Sequence, residues 1–153
     1  MKQEELNGIL KRHKAWLEGK FGGERAELGG ADLHHARLQD ADLQVAILHH
    51  AILEDSDLQD AILRNSDLRH SDLRGADIDY ASWPLWCGSL KAYVDDRIAI
   101  QLLYHTLSVV QHSPFVSEEV KEALLSAENV RIANRFHRIG ECREIKEWEE
   151  GTK

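Results

Sequence analysis

Nine histidines in a chain of 153 residues are the side chains with most chemistry to offer. Imidazole is the commonest protein ligand for metals, and its unperturbed pKa lies near neutrality, so a cluster of it points to a metal centre or to proton transfer. Two pairs are adjacent, His34-His35 and His49-His50, and His70 follows twenty residues after His50. None of the five has a carboxylate or cysteine at a recognisable spacing to complete a tetrahedral set, so solvated surface imidazoles are expected. His137 and Cys142 stand five apart across Gly140 with no further cysteine or histidine close by, and zinc is not expected there. Nucleophile elbow, phosphate loop, zinc-protease helix and paired CxxC signatures are all missing from the sequence. Gly22-Gly23 reads as a turn rather than a phosphate cradle. The expectation is no catalytic residue, no cofactor and no enzyme.

The elements that would carry these side chains follow from a repeat. Cut every five residues from Ala26, the chain reads AELGG ADLHH ARLQD ADLQV AILHH AILED SDLQD AILRN SDLRH SDLRG ADIDY, eleven units ending at Tyr80. The first position is Ala or Ser throughout. The third is Leu28, Leu33, Leu38, Leu43, Leu48, Leu53, Leu58, Leu63, Leu68, Leu73 and finally Ile78. In an α-helix each unit would rotate the leucine by about 140°, smearing it over every side. In one long strand an odd period would flip successive leucines to opposite faces. A chain that turns a corner once per unit keeps them all inside, with a small residue between them on a narrow axis.

These units resemble the pentapeptide-repeat family, whose consensus is A(D/N)LXX. The resemblance covers residues 26–80 and implies a right-handed quadrilateral β-helix, four units to a coil. It places the eleven central residues and the Ala/Ser column in the interior and the other three positions outside. It also puts residues twenty apart in one column, His70 above His50. A twelfth unit, Ala81-Ser82-Trp83-Pro84-Leu85, sets Trp at the centre and a proline after it, so the β-helix is expected to stop at residue 85 after about three coils.

Both flanks read as helical. Leu6, Ile9, Leu10, His13 and Leu17 form one stripe over residues 3–18, with Gly19 as a stop, and the open first coil is the expected apolar partner. His13 on that stripe is expected to be partly buried and bonded to backbone. Asp95 and Asp96 suit a helix start before 97–112, which carries apolar residues around most of its circumference; Tyr104-His105 on it reads as core. Ser117-Glu118-Glu119 restarts a helix with Val120, Ala123, Leu124 and Ala127 on one side. A further helix is expected around Val130, Ile132, Ala133 and Phe136, and a polar terminal one over 142–150. The expected organisation is therefore an N-terminal capping helix with a turn (1–25), a β-helix (26–85) and a helical segment (86–153). The flanks are similar to those of uncharacterised bacterial and phage pentapeptide-repeat proteins, which bring no function with them.

The net charge of −8 argues against nucleic-acid or anionic-membrane binding. No apolar run reaches membrane-spanning length. The N-terminus lacks a secretory h-region, so the expected location is cytoplasmic, with Cys87 and Cys142 reduced. The excess negative charge falls wholly on residues 26–80, with twelve acidic and four basic side chains. Some longer members of the family mimic DNA and modulate type II topoisomerases such as gyrase, blunting quinolone action. About three coils rise only about 14 Å at ~4.8 Å each, and Arg64, Arg69 and Arg74 interrupt the acidic surface, so mimicry is the alternative rather than the leading function. Histidine-based metal binding is the second alternative. The leading expectation is a non-enzymatic interaction or scaffold protein, with a second copy of itself or another protein as partner. Its candidate surface is Ile47, Ile52 and Ile62, which replace the usual Asp in the middle coil, together with Trp83 and Trp86.

Overall fold

Residues twenty apart pair along the whole repeat. Parallel bridges run Glu27–Ile47–Asp67, Asp32–Ile52–Asp72, Arg37–Asp57–Asp77 and Asp42–Ile62–Ser82. Four five-residue units therefore complete one rung, and each row passes through three rungs. The protein is described by a computed structural model over residues 1–84, 91–136 and 144–147. It divides into two compact units, Met1–Asp95 and Asp96–Lys153. No helix among the described residues is long and apolar enough to cross a membrane.

The corner of each unit is a hydrogen-bonded turn. The first-position N–H donates to the carbonyl of the preceding central residue, as from Ala31 to Leu28 at 3.1 Å and from Ala51 to Leu48 at 3.0 Å. The third turn residue, the fifth position of the unit, has φ between 54° and 63° at each non-glycine corner from His35 to His70. That is the left-handed region required there by turns of type II, easy for Gly, tolerated by Asn and Asp, and poor for a β-branched side chain. The second position has an equally local role. In all six units with Asp there, its Oδ1 accepts the backbone N–H two residues on: His34, Gln44, Gln59, Arg69, Arg74 and Asp79. Aspartate thus pins the turn in the manner of an Asx turn.

One corner breaks the rule. Val45 holds φ 63°, where neighbouring corners use His, Asp or Asn. Val45→Asn is expected to raise stability by about 1 kcal/mol, the order of the left-handed penalty for an L-residue. A chemical denaturation midpoint that falls would contradict it.

The eleven central residues Leu28 to Ile78 are each no more than 5% exposed, and the Ala/Ser column beside them is buried apart from Ala31. Outward positions are not uniformly wet, however. Asp67 and Asp79 are buried, Asp67 with the Arg69 guanidinium laid against its carboxylate. Nor does pairing end at Pro84. Tyr93 bridges Asp72, its N–H donating to the Ser71 carbonyl at 2.7 Å and its carbonyl accepting from Leu73 at 2.8 Å. Asp95 Oδ2 then accepts the Gly75 N–H. Proline interrupts one row, but a returning segment can still supply the next.

The first rung has no earlier rung to pair with, and helix α1 (Gln3–Leu17) supplies partners. The Met1 ammonium donates to the Asp32 carbonyl. The Gln3 side-chain amide accepts the Arg37 N–H and donates to the Arg37 carbonyl, both at 3.0 Å. His13 reaches two further backbone groups, described below. Leu6 is buried with His13, while Ile9, Leu10 and Leu17 are half-buried. Part of an unpaired row of N–H and C=O groups is thereby satisfied as well as covered. After α1, Gly23 passes so close that a Cβ on it would sit 2.3 Å from the Trp16 backbone nitrogen.

The second unit contains α2 (Asp96–His112), α3 (Glu118–Leu124) and α4 (Ala127–Ala133). Its core is Tyr104, Leu107, Val110, Leu125, Val130, Ala133, Phe136 and Ile145. Three sequence expectations change here. α2 buries one stripe, Ile98, Gln101, Tyr104, Leu107 and Val110, instead of most of its circumference, and Val109 is 68% exposed. α3 buries nothing: Val120 and Leu124 face solvent, and Leu125, one residue past the helix, enters the core. Seven residues are two turns, and the packing contact falls after them. Residues 144–147 are not helical; Ile145 is pinned instead by Asn134, whose side chain bonds both its N–H and its carbonyl. The rest of the expected terminal helix lies outside the described residues. Ser117 caps α3 as its sequence position suggests, accepting from Val120 N–H.

Candidate functional site

His13 is wholly buried, more so than the sequence suggests, and bonded to backbone on both ring nitrogens. Nδ1 accepts from the Ala26 N–H at 3.1 Å, and Nε2 lies 3.0 Å from the Gln44 carbonyl. A backbone N–H can only donate and a carbonyl only accept, so the ring is neutral with its proton on Nε2. Trp16 stacks on it, centroids 5.7 Å apart. Burial holds its pKa below the ordinary 6.5, against the raising pull of the Gln44 carbonyl and Asp42. This is a structural histidine.

The outer histidines separate into two groups. His50 and His70 lie in one column as the twenty-residue period requires, with ring centroids 4.8 Å apart and planes 5° from parallel, and His49 meets His50 edge-on. Parallel stacking is poor for chelation. Imidazole lone pairs lie in the ring plane, so a cation bound by one ring would sit far out of the other's plane. Desolvation, then the neighbouring His50, Lys91 and Arg69, hold His70 below its usual pKa, so His70 favours its neutral form. His34, His35 and Asp55 form the second group, with one donor atom from each mutually within 4.8 Å and all three residues exposed. The sequence search for a carboxylate missed Asp55, although it stands one rung above His35. His137 and Cys142 lie outside the described residues.

The proposed apolar surface is scattered. Ile52 and Ile62 are exposed at 42% and 37%, while Ile47 and Trp83 are half-buried. Trp86 lies outside the described residues. The three isoleucines occupy three different rows, flanked by Glu27 and Asp67, Asp32 and Asp72, and Asp42 and Ser82. No flat partner meets all of them. The acidic surface is also partly spent internally. Asp67 and Asp72 form bidentate pairs with Arg69 and Arg74, and these guanidiniums hold both carboxyls below their usual pKa.

The family of repeats that matches this chain agrees with this geometry. Pentapeptide repeats match residues 26–65 and 51–82, in eight copies. No curated protein matches the chain. Among solved structures, the chain is similar to a pentapeptide-repeat protein of the Arabidopsis thaliana thylakoid lumen. The identity is 24%, over 67% of this chain and 59% of that one, with a TM-score of 0.41. It is also similar to HetL, a pentapeptide-repeat protein involved in heterocyst differentiation regulation in the cyanobacterium Nostoc. There the identity is 28%, over 47% of this chain and 32% of that one, with a TM-score of 0.23. The chain thus spans less than two thirds of the length of either protein. With the five-residue unit, the twenty-residue pairing and the matched copies in agreement, residues 26–82 are pentapeptide repeats.

Proposed function

We propose that this chain is a non-enzymatic interaction protein. In this reading it is a right-handed β-helix of about three coils, capped by α1 and joined to a helical unit that associates with a second copy. The supporting observation is apolar surface in the helical unit. Phe115 is 95% exposed in the loop after α2, Val109 is 68% exposed, and Val120 and Leu124 face solvent on α3. Large apolar side chains left facing solvent on so small a unit favour its association with another surface. The DNA-mimic alternative fits less well. The Asp side chains that would imitate phosphates hold their own turn N–H groups, and two of them are paired with arginine.

Light scattering after gel filtration tests the proposal. The expected mass is roughly twice the 17.5 kDa of one chain, falling to one chain in Phe115→Asp with unchanged circular dichroism. A monomeric parent protein would end the self-association reading.

A further inference from the structure

We infer that His34, His35 and Asp55 form a binding site for one divalent first-row transition cation that favours imidazole, with zinc as the reference case. Two imidazoles and a carboxylate would supply three ligands, and water the remainder. The donors all lie within 4.8 Å of one another. A tetrahedral zinc with bonds of about 2.0–2.1 Å wants its ligands roughly 3.3 Å apart. Exposed side chains close that gap by small rotations.

The backbone fixes where these side chains start. His35 and Asp55 are corner residues of successive rungs, both with φ 54°, so their Cα–Cβ bonds leave the wall in the same sense. The His35 N–H donates to the Glu54 carbonyl at 3.1 Å, locking its rung to that of Asp55, and the Asp55 N–H donates to the Arg74 carbonyl of the third rung at 3.0 Å. Asp32 Oδ1 holds the His34 N–H at 3.1 Å. Neighbouring residues of an extended strand would point apart; here the turn brings the His34 and His35 rings to 3.7 Å between centroids, tilted by 45°. Tilted rings, unlike the parallel His50–His70 stack, can direct lone pairs at a common point.

Space has been left for the carboxylate. Gly75 stands above Asp55 in the third rung, and a Cβ on it would lie 2.0 Å from Asp55 Oδ1. The carboxylate rests over a residue that has no side chain. Charge also favours a cation: one carboxylate and two neutral imidazoles leave a bound divalent ion at +1, on a chain whose formal charge is −8.

Calorimetric titration of the full chain, purified without a histidine tag, with zinc chloride tests the site. One equivalent should bind. His35→Ala and Asp55→Asn should each weaken it at least about tenfold, ~1.4 kcal/mol, and His50→Ala should not. All substituted residues are outward-facing, so circular dichroism should be unchanged. Cobalt-loaded protein should show ligand-field bands without thiolate-to-metal charge transfer, which separates this site from one built on cysteine. No binding of zinc, binding unchanged in both His35→Ala and Asp55→Asn, loss in His50→Ala alone, or a thiolate band would each overturn the assignment.

Discussion

His13→Ala is expected to destabilise the first unit by about 3 kcal/mol or more. The substitution leaves the Ala26 N–H and the Gln44 carbonyl without their partners inside a buried site. Each orphaned group costs about 1–3 kcal/mol, before the cavity left by the ring is counted. The two isosteric halves of the interaction can be separated. Asn at 13 offers an oxygen near the Nδ1 position and can still accept from Ala26; Gln offers an N–H near Nε2 and can still donate to Gln44. Both should fall between the parent and alanine. Equal stability of parent and His13→Ala in urea unfolding would remove His13 from the structural account.

The same residue makes stability depend on pH, and its sign is fixed by the geometry. Protonation would place a second donor at Nδ1, facing the Ala26 N–H. The folded protein therefore resists protonation, and its His13 pKa lies below 6.5, chiefly through burial. The unfolded chain binds the proton more readily, so stability is complete above about pH 6.5 and declines as pH falls toward the folded pKa, below which the loss levels off. Asp67 and Asp72, lowered by their arginines, contribute at more acid pH, below the ordinary 3.8 of aspartate. The two windows are distinct. His13→Asn should reduce the upper one only, leaving what His70 contributes there, measured as the denaturation midpoint between pH 7.5 and 5.

Leu53→Ala should cost about 2–5 kcal/mol, the range for a buried leucine whose cavity cannot collapse. Leu53 is 0% exposed in the middle rung, twenty residues from Leu33 on one side and Leu73 on the other. Relaxation is restricted because the wall around the site is a ladder whose bonds run from Leu33 N–H to the Ile52 carbonyl and from Leu53 N–H to the Asp72 carbonyl. Each rung contacts only its neighbours, so damage to the middle one severs the coupling between the capped first rung and the third. The adjacent residue provides the contrast. Ile52→Asp puts back the side chain found at that position in six other units, and should change stability by within about 0.5 kcal/mol. Comparable losses at 52 and 53 would contradict the inward and outward assignment, and a change of mass in Ile52→Asp alone would make Ile52 part of an association surface.

The five-residue period was enough to determine which side chains fill the axis, because only a chain turning once per unit can bury a leucine at that spacing. The resemblance to a coil of four units then placed His70 on His50. What residues 26–80 did not disclose is why Asp dominates the second position: it reads as surface charge in one dimension, and only the turn shows its carboxylate gripping the N–H two residues on. Gln3 was equally opaque, an ordinary polar residue on a helix until folding sets its amide against the unpaired edge at Arg37. The helical unit was the least legible. Its α3 and α4 are only seven residues each, α3 buries nothing, and Ile145 is held by Asn134 across a sequence gap no periodicity spans. Local repetition encodes the tube because each unit meets copies of itself. Caps, clusters such as His34, His35 and Asp55, and the core around Tyr104 arise from contacts between unlike segments, which only the folded chain brings together.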